Sequence, residues 1–569
     1  MQAALQRMEP APEDELALAR AEILAGEGAA AAGRLQALIE QRGPSTALVY
    51  WLSAAQGAAG DLAAQAETLA LARTVHGLEL MQELGADLGL LQADPAYAGE
   101  LATQFYGAKL MGSASAAFAE TALKPDSALA QLISYGLSLQ HQGRIEEAVT
   151  VFTIAVERAP ASVQAQEFLL YALFFADDGV RRHAEEVRLW ASRHVAPLDP
   201  ARPPFANGRD SERRLRIGYV APSFVGTQVR QFFLPVLEAH DASRFEVLLY
   251  PRDAAAEPAL PVAGVRGIGG LSDPEAAALI RQDGVDVLID LWGHTANGRL
   301  GVFALKPAPV QVAWVNYVQS TGLEAIDWVI HADCMDAPGT EGLFAEKIWR
   351  IGPIMAPFRP DPRPPLAPTP ALRNGYVTFG SFNHPARLSD PTIAAWARIL
   401  KGRPGSRLVL KYGYFTDPVL QAATAMRFAA HGVEPHRIEF RGHTHGPDYL
   451  AEFADIDLAL DPSPCPGGTT SSDAIANGVP VLTLRGPDFY SRIGIVCVEP
   501  LGLHELVAES WDDYVARAVG LTADPLALDA LRRRVRARFE TSPARDEAGF
   551  TRRLEDALCS MFAQWCARG

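Results

Sequence analysis

The chain has 569 residues, 49% of them hydrophobic, and a formal net charge of −16. That length exceeds what one core organises, so about three domains are expected. The acidic balance argues against non-specific nucleic-acid binding and leaves room for a local basic site for a phosphorylated ligand.

No apolar run approaches the roughly 18 residues of a membrane span. The opening MQAALQRMEPAPEDELALAR lacks a basic-then-apolar leader, so a cytoplasmic protein is expected. Cys334, Cys465, Cys497, Cys559 and Cys566 are scattered and form no CxxC pair, against a disulfide framework or a zinc site.

Residues 1–200 read as helix throughout: alanine and leucine dominate, strand-like alternation is absent and short breaks recur. Within 129–160, Gly136, Ala148, Phe152, Ala155 and Pro160 stand at the spacings of a tetratricopeptide repeat of about 34 residues. Small residues let two helices approach, Phe152 fills the gap and Pro160 ends the second helix. Weaker echoes at Ala32, Pro44 and Ala66 are out of phase with that set. A tetratricopeptide-like helical solenoid is expected over 1–200, in preference to an irregular bundle, with a groove of the kind that binds peptide or protein. The proline-rich PLDPARPPFANGRD, 197–210, marks its end.

Strands and helices then alternate. The runs 215–220 (LRIGYV), 245–250 (FEVLLY), 285–291 (VDVLIDL), 310–315 (VQVAWV) and 328–330 read as strands. Helices are expected at 229–240 and at 273–282, the latter opened by Ser272, Asp273 and Pro274. After the proline-dense linker 353–370 the cadence resumes, with strands at 376–381, 407–411, 438–440, 456–460 and 479–484 and a helix opened by Ser389, Asp390 and Pro391. This is the pattern of doubly wound parallel sheets. The expected fold class is α plus α/β: helical repeats, then Rossmann-like domains at 211–355 and 371–569. Two C-terminal helices, near 526–539 and 548–565, cover a sheet.

Ligands of such sheets sit beyond the carboxyl ends of the strands. There lie the loops 221–230, 293–299, 382–387, 443–448 and 464–473. The last belongs to DLALDPSPCPGGTTSSDAIANGVPVLTL, 457–484. It runs from a strand through Pro462, Pro464, Pro466, Gly467 and Gly468 into a helix opened by Thr469 and Thr470. Free N–H groups and the helix dipole at such a start suit an anion. Asp473, one turn on, shares a face with Thr469 and suits ribose hydroxyls. An ordinary capped helix is the competing reading of this stretch alone; the convergence of loops favours a phosphate site.

Several stretches resemble, in order and spacing, the protein O-GlcNAc transferases and their bacterial relatives. They are DLWGHTANGRLGVFALKPAPVQVAW (290–314), STGLEAIDW (320–328), EKIWRI (346–351), SFNHPARLSDPTIAAWARIL (381–400), RIEFRG (437–442) and 457–484, with the repeats before them. The resemblance covers about 213–545. It implies a GT-B fold and transfer of a sugar from a nucleotide donor to a Ser or Thr of a protein acceptor, without a metal cofactor. It sets the donor phosphates against Thr469 and Thr470, the ribose against Asp473, and the loop of Asn383, His384 and Arg387 facing the phosphates. Gly293, His294 and Thr295 line the cleft from the first domain.

Three positions depart from the family. Thr227 stands where the transferases carry a histidine, Arg387 where they carry a lysine on the diphosphate, and Gly468 where they carry a histidine before the two threonines. Threonine is no base near neutral pH. Arginine holds phosphate as a planar fork rather than a point charge. All three changes surround the diphosphate and sugar. A CMP-linked nonulosonic acid, the donor of flagellin glycosyltransferases of this layout, therefore stands beside a UDP-GlcNAc-like donor, with flagellin as one candidate acceptor.

His294 and Asp290 are the candidate general bases at a strand end; structural hydrogen bonding and loop capping are their respective alternatives, and a donor phosphate oxygen is a third candidate. Lys411 is grouped with the donor-binding residues, although a simple solvated lysine is the plainer reading. Arg230 reads as an anion binder or a surface arginine, and His443 and His445 lack a third metal ligand. A noncatalytic nucleotide-binding scaffold is the competing function class, favoured by Thr227 and opposed by the intact GGTTSSD segment. The sequence leaves a homo-oligomer open.

Overall fold

The computed structural model describes residues 111–119, 121–195, 204–226, 229–335, 337 and 339–568, with scattered residues between 15 and 110. Thr227, Pro44 and Ala66 lie outside the described residues. The chain divides into two compact units.

One unit comprises 1–142 with 414–424. Its helices include Gly28–Arg42, Met111–Ala119 and Leu129–Gln140. Gln142 ties the last two, donating through Nε2 to the Met111 carbonyl at 3.0 Å and the Ser138 carbonyl at 2.8 Å. The Asp417 carboxylate accepts from Gly112 N at 2.6 Å, satisfying a donor that a helix start leaves free.

The other unit, 143–413 with 425–569, opens with helices Ile145–Arg158, Val163–Leu173 and Gly179–Trp190. Ala148, Phe152 and Ala155 are fully buried, and Phe152 stacks on Phe168 at 5.8 Å between ring centres. Small residues and one aromatic ring thus let neighbouring helices close on each other.

Two all-parallel sheets follow. The first has the order β3-β2-β1-β4-β5-β6-β7, with β1 Leu215–Val220, β2 Phe245–Tyr250, β3 Gly264–Val265, β4 Val287–Asp290, β5 Val310–Ala313, β6 Trp328–His331 and β7 Lys347–Arg350. The second has the order β10-β9-β8-β11-β12-β13, with β8 Thr378–Ser381, β9 Arg407–Lys411, β10 Ile438–Arg441, β11 Leu458–Leu460, β12 Val481–Leu484 and β13 Val507–Ala508. The central strands are continuous apolar runs because helices cover both faces. β3, β7 and β13 escaped the sequence reading: β3 and β13 are two residues long, and β7 carries exposed Lys347 and Arg350. The strand order reverses between β1 and β4 in the first sheet and between β8 and β11 in the second. Each reversal opens a crevice at the carboxyl ends, because successive crossovers leave on opposite faces.

Two helical elements pack where sequence did not put them. Leu170, Val187 and Trp190, from helices 163–173 and 179–190, share a core with Val220, Tyr250 and Leu288 of the first sheet. The proline-rich stretch marks a break in chain composition, while the apolar faces on either side of it still pack together. Helix Glu547–Ala567, expected with the second domain, lays Phe550, Leu554, Leu558 and Phe562 against Leu215, Ile217 and Val287 of the first sheet. Among the described residues no helix is long and apolar enough to cross a membrane.

Candidate active site

The glycine-bearing loop after β11 enters helix Thr469–Ala476, and Gly468 is its N-cap without a side-chain hydrogen bond. The first N–H groups of the helix therefore remain available to a ligand. Asp461, at the end of β11, pins the loop. Its carboxylate accepts from Gly467 N at 2.7 Å, Ser471 Oγ at 3.0 Å and Thr483 Oγ1 at 3.0 Å. Gly467 is required here, because a Cβ would lie 2.3 Å from Ser471 Oγ. Burial pushes the Asp461 carboxyl up to about 6, against the hydrogen bonds that hold it charged.

The loop after β8 meets this segment across the crevice. Asn383 is buried; its Oδ1 accepts from Thr470 Oγ1 at 2.8 Å and its Nδ2 donates to Ser381 Oγ at 3.2 Å. The Thr470 hydroxyl, expected on phosphate, is thus engaged within the protein, while Thr469 and Gly468 face the cavity. Next to Gly468 a Cβ would meet only Ile493 at 3.8 Å, so the missing side chain leaves open space. His384 Nδ1 accepts from Ala386 N at 2.9 Å, and its ring packs against Phe175 and Tyr412; it shapes the loop. Arg387 reaches across from that loop, donating to the carbonyls of Cys465 and Pro466 and lining the cavity.

Asp473 is buried one turn into the helix. Tyr449 donates to its Oδ2 at 3.4 Å, and its Oδ1 has no protein partner. Burial, and then the nearby Asp361 carboxylate, push its carboxyl up to about 7, while Tyr449, Gln231 and Arg230 pull it down. A buried carboxylate oxygen without a donor leaves one acceptor open to a ligand hydroxyl, although Asp473 itself does not line the cavity between the two sheets. Arg230 is occupied by Asp361 at 2.6 Å, half exposed.

The cavity between the two sheets holds about 270 Å³. Arg387, Gly468, Thr469 and Ser472 form one wall; Thr295, Val315 and Asn316, from loops after β4 and β5, form the facing wall. Tyr171 of helix 163–173 and Phe174 at its C-cap also line it, as do Tyr490 and Cys497. Sequence reading had no signal for the two helical aromatics, whose contact depends on the packing of that helix onto the first sheet. Among the described residues lining the cavity, Arg387 is the one charged side chain.

The candidate bases lie behind this wall. Asp290 is buried, and its carboxylate accepts from Trp292 N at 3.1 Å and Gly293 N at 2.8 Å. That is the loop-capping role, and burial pushes its carboxyl up to about 6. The turn it caps needs Gly293, at φ 59° with Tyr317 where a Cβ would stand. His294 is buried with Nε2 on the Thr321 carbonyl at 2.9 Å and the edge of Trp190 against its ring. With Nε2 donating, Nδ1 carries the lone pair, and it has no protein partner. Burial pulls this imidazole down to about 4, so it is neutral at physiological pH. Neither residue lines the cavity; their neighbour Thr295 does. We therefore expect His294→Gln to lower kcat/KM by a similar factor at pH 6 and pH 8, short of the roughly hundredfold cost of losing a general base. A pH–rate limb that vanishes in the variant would assign it to proton transfer instead.

Lys411 corrects the solvated-lysine reading. It is buried at the end of β9, an inner strand, with Nζ on Glu452 at 2.7 Å and on the Gly442 carbonyl at 2.7 Å. Its amine is thus committed to the protein and does not line the main cavity. Lys411→Met should destabilise the fold by only about 1 kcal/mol, because Glu452 keeps Arg441 at 3.3 Å and Thr444 Oγ1 at 2.7 Å and is not left uncompensated. Urea unfolding at pH 7 checks this: a loss above about 3 kcal/mol would mean that Arg441 and Thr444 do not hold the carboxylate without the lysine. His443 and His445 stack edge to face at 4.2 Å, and among the described residues no group of three or more His, Cys, Asp or Glu is placed to hold a metal ion.

Comparison with known proteins supports the fold. The pattern of glycosyl transferase family 41 matches residues 201–349 and 369–554. A rice (Oryza sativa subsp. japonica) protein named "Probable UDP-N-acetylglucosamine--peptide N-acetylglucosaminyltransferase SPINDLY" is 34% identical over 419 residues, covering 72% of this chain and 45% of that protein. The Arabidopsis thaliana protein of the same description called SEC is 27% identical, over 68% of this chain and 41% of its own length. The chain spans less than half the length of the curated relatives it matches. A mutant of the Thermobaculum terrenum O-GlcNAc transferase superposes with a TM-score of 0.77 at 29% identity, over 92% of this chain and 98% of that one. A helical N-terminal region joined to a GT-B pair of Rossmann-like sheets, with a matching sequence pattern across both sheets, leads to one assignment: the chain belongs to glycosyl transferase family 41.

Proposed function

We propose that the protein is a protein O-glycosyltransferase, moving a sugar from a nucleotide-sugar donor to a Ser or Thr hydroxyl of a protein acceptor. The observation that carries this is the cavity wall where the uncapped start of helix 469–476, Thr469 and Arg387 converge opposite the first-sheet loops. The acceptor oxygen attacks the anomeric carbon, the bond from that carbon to phosphate breaks, and the departing charge settles on the helix N–H groups and Arg387. With no Asp, Glu or His among the described lining residues, a phosphate oxygen of the donor takes the hydroxyl proton. Arg387 and the helix supply the positive potential that some transferases draw from a metal, so activity should survive chelation by EDTA.

The names of the relatives favour a UDP-GlcNAc-like donor. The second reading, a CMP-nonulosonic acid with flagellin as acceptor, rests on the space at Gly468 and on the planar fork of Arg387, which suits a carboxylate as well as phosphate. Intact-mass measurement of co-expressed acceptors, flagellin among them, with wild type and Asp473→Ala tests both. A mass increase lost in the variant establishes transfer, and its size separates a hexosamine from a nonulosonic acid. Saturable nucleotide binding without any mass increase would make the protein a nucleotide-binding scaffold.

A further inference from the structure

The first sheet has its own crevice, apart from the cavity proposed for the donor. A cavity of about 230 Å³ opens where the strand order reverses between β1 and β4. Val220 and Pro222 from the end of β1, Arg252 after β2, and Trp292, Asn297 and Arg299 after β4 line it. In doubly wound sheets this is the place where ligands bind. The donor cavity occupies the corresponding reversal of the second sheet, between β8 and β11. The two cavities share a wall: Thr295 faces the donor side, while Trp292 and 297–299 of the same loop face the other.

The charges in this second crevice are unequal in their commitments. Arg299 is spent on the fold, with Nε on Asp273 at 2.8 Å and its other nitrogens on the Ile268 and Leu271 carbonyls. Asp253, next to Arg252, is turned to cap Ala255 N at 2.9 Å. Arg252 is exposed, and among the described residues no carboxylate lies within ion-pair distance of it. Among the described residues its one side-chain hydrogen bond is to Asn297 Oδ1 at 3.1 Å. Its backbone is nevertheless fixed, with N on the Pro222 carbonyl at 3.1 Å and its own carbonyl accepting from Gly269 N at 2.9 Å. Asn297 is held in the left-handed region at φ 68°. Trp292 spends its Nε1 on the Ala296 carbonyl at 2.8 Å, which leaves a ring face for the crevice.

We infer that this crevice binds an acidic side chain of the acceptor polypeptide, with Arg252 on the carboxylate, and so selects acceptors carrying Asp or Glu a few residues from the modified hydroxyl. The inference rests on the proposed transfer to protein. Charge complementarity identifies the occupant: the chain as a whole carries −16 and repels acidic polypeptide, so a local unmatched guanidinium decides where such a segment settles. An extended segment advances about 3.3 Å per residue, so one strand of acceptor spans the shared loop within a few residues.

The test uses a panel of Ser-centred peptides with Glu, Gln or Lys at each position from four residues before to four after the serine, and the full chain as wild type and Arg252→Gln. For wild type, KM for the best Glu peptide should lie about fivefold or more below that for its Gln counterpart, and the gap should close in 0.5 M salt. In Arg252→Gln the preference should disappear through KM, with a smaller change in kcat. Equal KM for Glu and Gln at every position, or a Glu preference that survives Arg252→Gln, overturns the inference. Direct binding of the same Glu and Gln peptides needs no turnover. An absence of transfer therefore counts against the proposed function, while binding still decides the crevice: a Glu preference that depends on Arg252 supports it and indifference overturns it.

Discussion

Replacing Asp473 with asparagine is expected to lower kcat/KM for the donor on the order of a hundredfold, on the proposal that its carboxylate takes two charge-assisted hydrogen bonds from the ribose, worth about 3 kcal/mol together. The same change is expected to make the unliganded protein more stable at pH 8. Burial raises this carboxyl from 3.8 to about 7, so between those values the folded chain keeps a proton that the unfolded chain releases. Stability linked to Asp473 therefore falls as pH rises from about 4 to about 7. Above that range the charged carboxylate is a constant cost of about 2–4 kcal/mol. Asparagine removes the cost, so the advantage should shrink as the pH is lowered to 5. A nucleotide that supplies hydroxyls to the vacant Oδ1 draws the carboxyl back down. Binding near pH 7 should thus release protons in wild type and not in the variant, as calorimetry in two buffers of different ionisation enthalpy would reveal. A variant that is less stable at pH 8 and binds nucleotide as wild type does would remove Asp473 from the donor site.

Arg387→Ala is the second large expectation, a fall in kcat of about a thousandfold, or about 4 kcal/mol of transition-state stabilisation. Arg387 is the one charged side chain among the described lining residues, so no neighbour replaces its share of the leaving-group charge. Nucleotide affinity should fall less, about tenfold, because the helix N–H groups remain. Arg387→Lys should recover part of kcat as a point charge without the fork. The carbonyls of Cys465 and Pro466 lose their donor in the alanine variant, so thermal unfolding is needed alongside to separate a loosened loop from lost chemistry. Single-turnover rates within tenfold of wild type would refute a role in leaving-group stabilisation.

The sheets were legible in sequence because parallel strands buried on both faces are unbroken apolar runs. LRIGYV and FEVLLY were found at their full lengths. The 468–473 segment was legible for a related reason: capping residues and glycines are local chemistry. What sequence could not show was direction. Lys411 ends a strand whether its amine meets water or Glu452. His294 occupies a Gly-His-Thr loop whether its ring enters the cavity or turns behind it. Tyr171 and Phe174 are ordinary helical aromatics until their helix docks on the first sheet. Each outcome is set by residues far away in the chain.

The packing of helix 547–567 on the first sheet has a consequence for folding on the ribosome. β1 to β7 emerge early, yet the face carrying Leu215, Ile217 and Val287 is covered only in part, by Phe233, Val236 and Leu237, until the last residues of helix 547–567 have appeared. The second sheet, from β8 to β13, finds its partners sooner and is positioned to fold first, inside an unfinished neighbour. During that interval part of an apolar sheet face stands open, and it is there that a chaperone would be needed and a stalled or shortened chain would aggregate.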